Sequence, residues 1–116
     1  MAAIRHWSEP LVREYLEDLG WRCLAQNYYL RSAELDLVMC DEQGVTVFVE
    51  VKQRSNQNFA AVEYSISPIK MRHLQQAALH FLINYYRSED IACRFDAVFV
   101  VGTQDRYSVT HLKNII

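Results

Sequence analysis

The chain has 116 residues, 51% of them apolar and 22% charged, with a formal charge of −2. That length suits one domain with one core, and the balance excludes a disordered or low-complexity chain. No apolar run approaches the roughly 20 residues that span a bilayer, and residues 1–7 hold no apolar stretch long enough for a signal peptide, so a cytoplasmic protein is expected.

The acidic balance argues against a generic nucleic-acid coat protein. Its distribution is uneven, however: between positions 52 and 73, Lys52, Arg54, Lys70 and Arg72 face Glu63 alone. Such a stretch can meet phosphates while the whole chain stays acidic. Cys23, Cys40 and Cys93 form no C-x-x-C pair, and the histidines show no i,i+4 spacing. Reduced core thiols are expected, not a zinc site.

In chain order, residues 9–19 read as a helix, with Ser8 as N-cap, Pro10 in the first turn and Gly20 past the end. Its apolar stripe is Leu11, Val12, Tyr15, Leu16 and Leu19. Glu9 stands seven residues before Leu16 and so projects within about 20° of that stripe. It is either a first-turn acid favoured by the helix dipole or an acid aimed at the sheet.

Strands follow at 21–30, 34–40 and 45–52. The link Asp41-Glu42-Gln43-Gly44 joins the last two as a hairpin. Residues 53–67 read as a long loop. Ser67 and Pro68 then start a helix to about residue 87, whose apolar positions are Leu74, Ala77, Ala78, Phe81, Leu82 and Tyr85. A buried strand is expected at 94–101, and 107–116 adds an edge strand or a helical turn. The order αβββαβ makes the second helix a crossover, which implies a parallel strand pair within a mixed sheet flanked by helices, an α/β fold.

The chemistry concentrates on the hairpin. Strand alternation places Glu34, Asp36 and Val38 on one face with Thr46, Phe48, Glu50 and Lys52. Leu35, Leu37 and Met39 fall on the other with Val45, Val47, Val49 and Val51. A three-residue loop ending on Gly44 in the left-handed region pairs Asp41 with Val45. Asp36 then lies opposite Glu50, and Glu34 opposite Lys52. At about 5 Å and an effective dielectric near 20, two such carboxylates repel by about 3 kcal/mol. A shared proton, a cationic side chain or a divalent metal would offset that repulsion. Glu34, Asp36 and Glu50 outnumber Lys52, and Glu9 adds to the excess, which suits a hard, oxygen-ligated cation. The plain alternative is a surface hairpin with a Glu34–Lys52 cross-strand pair.

Asp36 followed by Glu50-Val51-Lys52 resembles the D…E-x-K signature of the restriction-endonuclease-like, or PD-(D/E)XK, nuclease superfamily. More closely, the chain resembles the uncharacterised bacterial YraN family, related to archaeal Holliday-junction resolvases. The likeness runs from Glu9 and Tyr15-Leu16 through Asn27-Tyr28, Glu34-Leu-Asp36-Leu and Phe48-Val-Glu50-Val-Lys52-Gln-Arg54. It continues through Pro68-Ile-Lys70 and Arg94-Phe95-Asp96 to His111-Leu-Lys-Asn114. Ala33, Gln53 and Ala60 depart from the family pattern and leave the acids and lysine intact.

The resemblance implies a restriction-endonuclease-like fold and a hydrolase that cuts phosphodiester bonds in DNA, including branched DNA. Asp36, Glu50 and the Val51 carbonyl would hold Mg²⁺ or Mn²⁺, with Lys52 positioning the attacking water. Glu9 would match the extra acid of the resolvases. Glu34 would join the surrounding shell or pair with Lys52, and Arg54 and Lys70 would contact phosphate. Asp96 reads as structural. By analogy with the resolvases a homodimer is expected, with Tyr28, Tyr29, Tyr85 and Tyr86 in its interface or in the core. The alternative is a nuclease fold that binds nucleic acid, or another partner, without cutting.

Overall fold

The computed structural model describes residues 6–31, 33–55 and 67–116. Its elements run α1 (Ser8–Asp18), β1 (Arg22–Leu30), β2 (Ala33–Cys40), β3 (Thr46–Arg54), α2 (Pro68–Tyr86), β4 (Cys93–Gly102) and β5 (Tyr107–Leu112). The strands form one sheet in the order β1-β2-β3-β4-β5, with β3 and β4 parallel and the other neighbours antiparallel. The α/β class and the crossover pair are therefore as expected. The C-terminal segment resolves as the edge strand β5, so the order is αβββαββ. Most of the expected loop, residues 56–66, lies outside the described residues. No helix among the described residues is long and apolar enough to cross a membrane.

The helices cover opposite faces. On one, Val12 and Leu16 of α1 pack with Trp21, Leu37, Met39, Val47, Val49, Val98 and Val100. On the other, Leu74, Ala77, Ala78, Phe81 and Leu82 of α2 pack with Leu35, Val38 and Phe48. Both faces of the hairpin are thus core, which explains its near-continuous apolar sequence. At the ends of the expected stripes, Leu19, the C-cap of α1, is 49% exposed and Tyr85 48% exposed, so neither is core.

Both helix starts were sought from capping residues, with different outcomes. Ser67 is an extended N-cap whose Oγ accepts from the Lys70 N–H, and Pro68 follows in the first turn. Ser8 is instead inside α1 and buried, its hydroxyl 2.7 Å from His6 Nδ1, and Trp7 occupies the cap. The cysteines also differ from expectation: Cys40 is buried, Cys23 half-buried and Cys93 exposed, all as free thiols.

The hairpin register follows from its turn. The Asp41 N–H donates to the Val45 carbonyl at 2.9 Å, the Gly44 N–H to the Asp41 carbonyl at 3.0 Å, and Gly44 has φ 86°. Asp41 Oδ1 also accepts from the Gln43 and Val45 N–H groups, clamping the turn. The resulting pairs Cys40–Thr46, Met39–Val47, Val38–Phe48 and Leu37–Val49 are in the expected register.

The strict alternation expected along β2 fails one step further on. Leu37 packs on the α1 side, yet Leu35 packs on the α2 side. The partner strand changes in step: Gln26 faces Leu37 and Tyr28 faces Leu35, and between them Asn27 has φ 49°. Asn is one of the few residues that enters the left-handed region readily. This local turn of two strands lies beside Asp36.

Candidate active site

The β2–β3 ladder ends at Leu37–Val49, one step short of Asp36 and Glu50. There the Asp36 side chain takes over a backbone role: its Oδ2 accepts from the Val51 N–H at 2.8 Å. Asp36 thereby closes the gap where the strands part, and its carboxylate is fixed by β3 while carried by β2.

Three carboxylates gather at this point. One oxygen from each of Glu9, Glu34 and Asp36 lies within 4.8 Å of the others, and all three residues are half-buried. Glu9 arrives from the first turn of α1 and Glu34 from the start of β2. The Asn27 amide joins them, donating to Glu9 Oε1 at 3.0 Å and to Glu34 Oε1 at 2.8 Å. Glu9 is at once a first-turn acid of α1 and a neighbour of the sheet's carboxylates. Asn27, quoted above only as part of a likeness, proves to organise the acids.

The electrostatics follow from this crowding. Burial, with the charges of Glu50, Glu9 and Glu34, pushes Asp36 up to about 7, against the lowering effect of the Val51 hydrogen bond. Glu50 behaves oppositely. Burial would raise it, but the Lys70 hydrogen bond and the neighbouring Lys52 hold it below its ordinary value. Lys70 Nζ is 2.7 Å and Lys52 Nζ 3.1 Å from the same Glu50 Oε1. Lys52 thus pairs along its own strand with Glu50, while Glu34 turns to Asn27. The cross-strand Glu34–Lys52 pair is not what forms.

Glu34, Asp36, Glu50, Ser67, Ile69, Lys70, His73 and Leu74 line a cleft of about 390 Å³ between the open end of the hairpin and the start of α2. Asp36, Glu50 and Lys70 come together there, and Lys52 adjoins them through Glu50. His73 was not among the sequence candidates. One helical turn after Lys70, it lines the same cleft. Arg54 lies apart, against β4: its Nη1 donates to the Gln53 carbonyl and its guanidinium stands 5.9 Å from the Phe99 ring centre.

Asp96 is a different kind of acid. It is fully buried and bound by Arg94 at 3.1 Å, His111 at 2.8 Å and the Asn114 N–H at 3.0 Å. Burial would raise it, but those bonds hold it below its ordinary value. Arg94 continues to Asp41 at 2.8 Å, tying β4 to the hairpin turn. Its structural reading stands.

Four carboxylates around two ammonium groups give a site that can hold an oxygen-ligated divalent cation next to a phosphate. The chain also has recognisable relatives. The model of the uncharacterised protein family UPF0102 matches residues 8–100. A UPF0102 protein of Dichelobacter nodosus is 39% identical over 111 residues, covering 95% of this chain and 86% of that one. One of Bifidobacterium longum subsp. infantis is 36% identical over 107 residues, covering 91% and 86%. One of Desulforamulus reducens is 31% identical over 116 residues, covering 98% and 95%. Matches of this extent are decisive: the chain belongs to the uncharacterised protein family UPF0102.

Proposed function

We propose that this protein is a metal-dependent phosphodiesterase acting on nucleic acid, DNA before RNA, with its centre at Asp36. The observation that carries the reading is the grouping of Glu9, Glu34 and Asp36 within 4.8 Å, beside a Glu50 held by Lys52 and Lys70. An isolated surface hairpin would not collect acids from α1 and β2 around a carboxyl raised to about 7. Structural ion-pair networks usually alternate sign, whereas this one leaves an excess of two negative charges.

The donor set fits a hard cation, because every candidate ligand is oxygen. Asp36 would hold it, with Glu9 and Glu34 on one side and Glu50 and the Val51 carbonyl on the other. When bound, Mg²⁺ or Mn²⁺ supplies Lewis-acid stabilisation of a phosphoryl oxygen and a more acidic water. The remaining work belongs to the chain. Lys52 and Lys70 meet the phosphate oxygens and offset charge as it develops. Lys52 Nζ, 3.1 Å from Glu50 Oε1, is held by that carboxylate where it can orient the substrate. Val51 keeps Asp36 oriented through its N–H.

Cleavage of linear, flap and four-way-junction DNA with Mg²⁺ or Mn²⁺ tests the reading. Wild type should cut at least one of these. Asp36→Ala, Glu50→Ala and Lys52→Ala should each lower the rate at least about a hundredfold while remaining folded. If wild type binds the panel and cuts nothing, the protein is a nuclease fold retained for binding. Variants that cut as well as wild type would end the proposal.

A further inference from the structure

Glu50 occupies an odd position in the cluster. Of the four carboxylates, it alone stands outside the tight group formed by Glu9, Glu34 and Asp36, and among the described residues it alone is paired with lysine or arginine. Both bonds converge on one oxygen, Oε1, from Lys70 on α2 and Lys52 on its own strand. Glu50 is largely enclosed, its side chain 15% exposed, whereas Lys70 is 45% exposed and faces the cleft. With two ammonium groups on Oε1, Glu50 can offer a divalent ion only its other oxygen, and only with two like charges close by.

Resting on the phosphodiesterase reading, we propose that Lys70 is a latch on Glu50: a substrate phosphate draws Lys70 off Glu50, and the freed carboxylate then completes the cation site beside Asp36. Phosphate and cation binding are thereby coupled, each strengthening the other by the same factor. Lys70 suits the role through its place in the fold. It sits in the first turn of α2, where the helix dipole disfavours a cation and favours an anion. Its ammonium is therefore stabilised by a partner, Glu50 at rest or phosphate when substrate arrives.

The exchange is balanced in chemical kind. Lys70 gives up one charge-assisted bond and gains another. Glu50 loses one ammonium and gains a divalent ion, while Lys52 stays at hand for the phosphate. The coupling has a functional consequence. A protein free of nucleic acid keeps its cation site incomplete, which limits idle hydrolysis chemistry in the absence of substrate.

The test is Mn²⁺ affinity by calorimetry, which does not depend on turnover. Lys70→Met should bind Mn²⁺ at least about fivefold more tightly than wild type without DNA. Removing a positive charge would do this through space alone, so a double-mutant cycle decides. In a Glu50→Gln background the gain from Lys70→Met should shrink to its through-space part, and equal gains in both backgrounds overturn the latch. A short DNA duplex with Ca²⁺ in place of Mn²⁺, to suppress turnover, supplies the second arm. DNA should tighten Ca²⁺ binding in wild type at least about fivefold and markedly less in Lys70→Met, and no tightening in wild type also overturns it. If neither wild type nor Lys70→Met binds Mn²⁺ without DNA, and wild type binds no Ca²⁺ with DNA, the phosphodiesterase reading itself falls. If Mn²⁺ binds, Asp36→Ala abolishes it and the cycle is additive, the latch alone falls.

Discussion

Asp36 and Asp96 are both aspartates set within the central sheet, and the protein treats them in opposite ways. Asp96 is 0% exposed and takes bonds from Arg94, His111 and the Asn114 N–H, so its charge is welcome and its acidity increases. Asp36 is less buried, yet its neighbours Glu9, Glu34 and Glu50 share its sign, and it rises to about 7. Among the described residues no lysine or arginine bonds to Asp36. Burial pushes both acids up; their company overcomes it at Asp96 and adds to it at Asp36. The first arrangement stabilises the fold, and the second costs stability, as the proposed cation site requires.

Removing each acid should break this symmetry most plainly. Asp96→Ala leaves Arg94 and His111 without their shared partner and unties the chain around Asn114. The loss is expected at about 3 kcal/mol, the scale for breaking a buried pair, and a fall of about 10 °C in Tm by calorimetry would report it. A change under a few degrees would show that Arg94 and Asp41 suffice without Asp96.

Asp36→Asn should act in the opposite direction. The amide oxygen can still accept from the Val51 N–H, while the crowded charge is gone. The displacement from 3.8 to about 7 would be worth about 4 kcal/mol if fully realised. Partial exposure reduces the expected gain to about 1–2 kcal/mol in metal-free protein near pH 8. Thermal unfolding in chelator checks it. Destabilisation of that size instead would mean that Asp36 is a structural acid like Asp96.

The two acids also predict opposite limbs of the stability–pH curve. Asp96 is lowered in the folded state, so its contribution is present above the unfolded value near 4 and is lost as pH falls through its folded value. Asp36 is raised, so the folded state binds its proton more tightly. Stability then declines as pH climbs from the unfolded value toward about 7. Metal-free protein should be most stable between those limits in urea titrations across pH. Asp36→Asn should flatten the upper limb alone, and Asp96→Asn the acid limb alone. A wild-type curve still rising between pH 5 and 7 would contradict the assignment of Asp36.

The contrast also marks how much could be read from the residues in order. The Asp41–Gly44 turn carries its own geometry, so the register that brings Asp36 toward Glu50 was accessible from local chemistry. Glu9 was placed by helical angle alone. Lys70 could be named as a phosphate contact, but its bond to Glu50 depends on how α2 docks, which no local pattern encodes. The break in alternation between Leu35 and Leu37 was hidden for a related reason. A period-two pattern assumes regular strands, and here Asn27 enters the left-handed region in the neighbouring strand. Ser8 shows the converse: a good capping residue lies inside the helix, bonded to His6, and Trp7 at the N-cap position makes no side-chain capping bond.

Asn27 therefore offers the smallest but most specific probe of the comparison. Asp96 is organised by cations, whereas Glu9 and Glu34 are organised by one neutral amide that donates to both. Asn27→Gly keeps the backbone at ease, since glycine tolerates φ 49°, and removes both bonds. Stability should fall by no more than about 1 kcal/mol, because the two acids can turn to water. Mn²⁺ affinity by calorimetry should nevertheless drop about threefold or more, as ordering the ligands would then fall to the ion. Asn27→Asp keeps the local conformation and adds like charge beside Glu9 and Glu34. Metal-free protein should lose stability, and the rise in Tm on adding Mn²⁺ should grow. If both variants bind Mn²⁺ as wild type does, Asn27 serves only the turn of the strand, and the acids around Asp36 are not arranged for a cation.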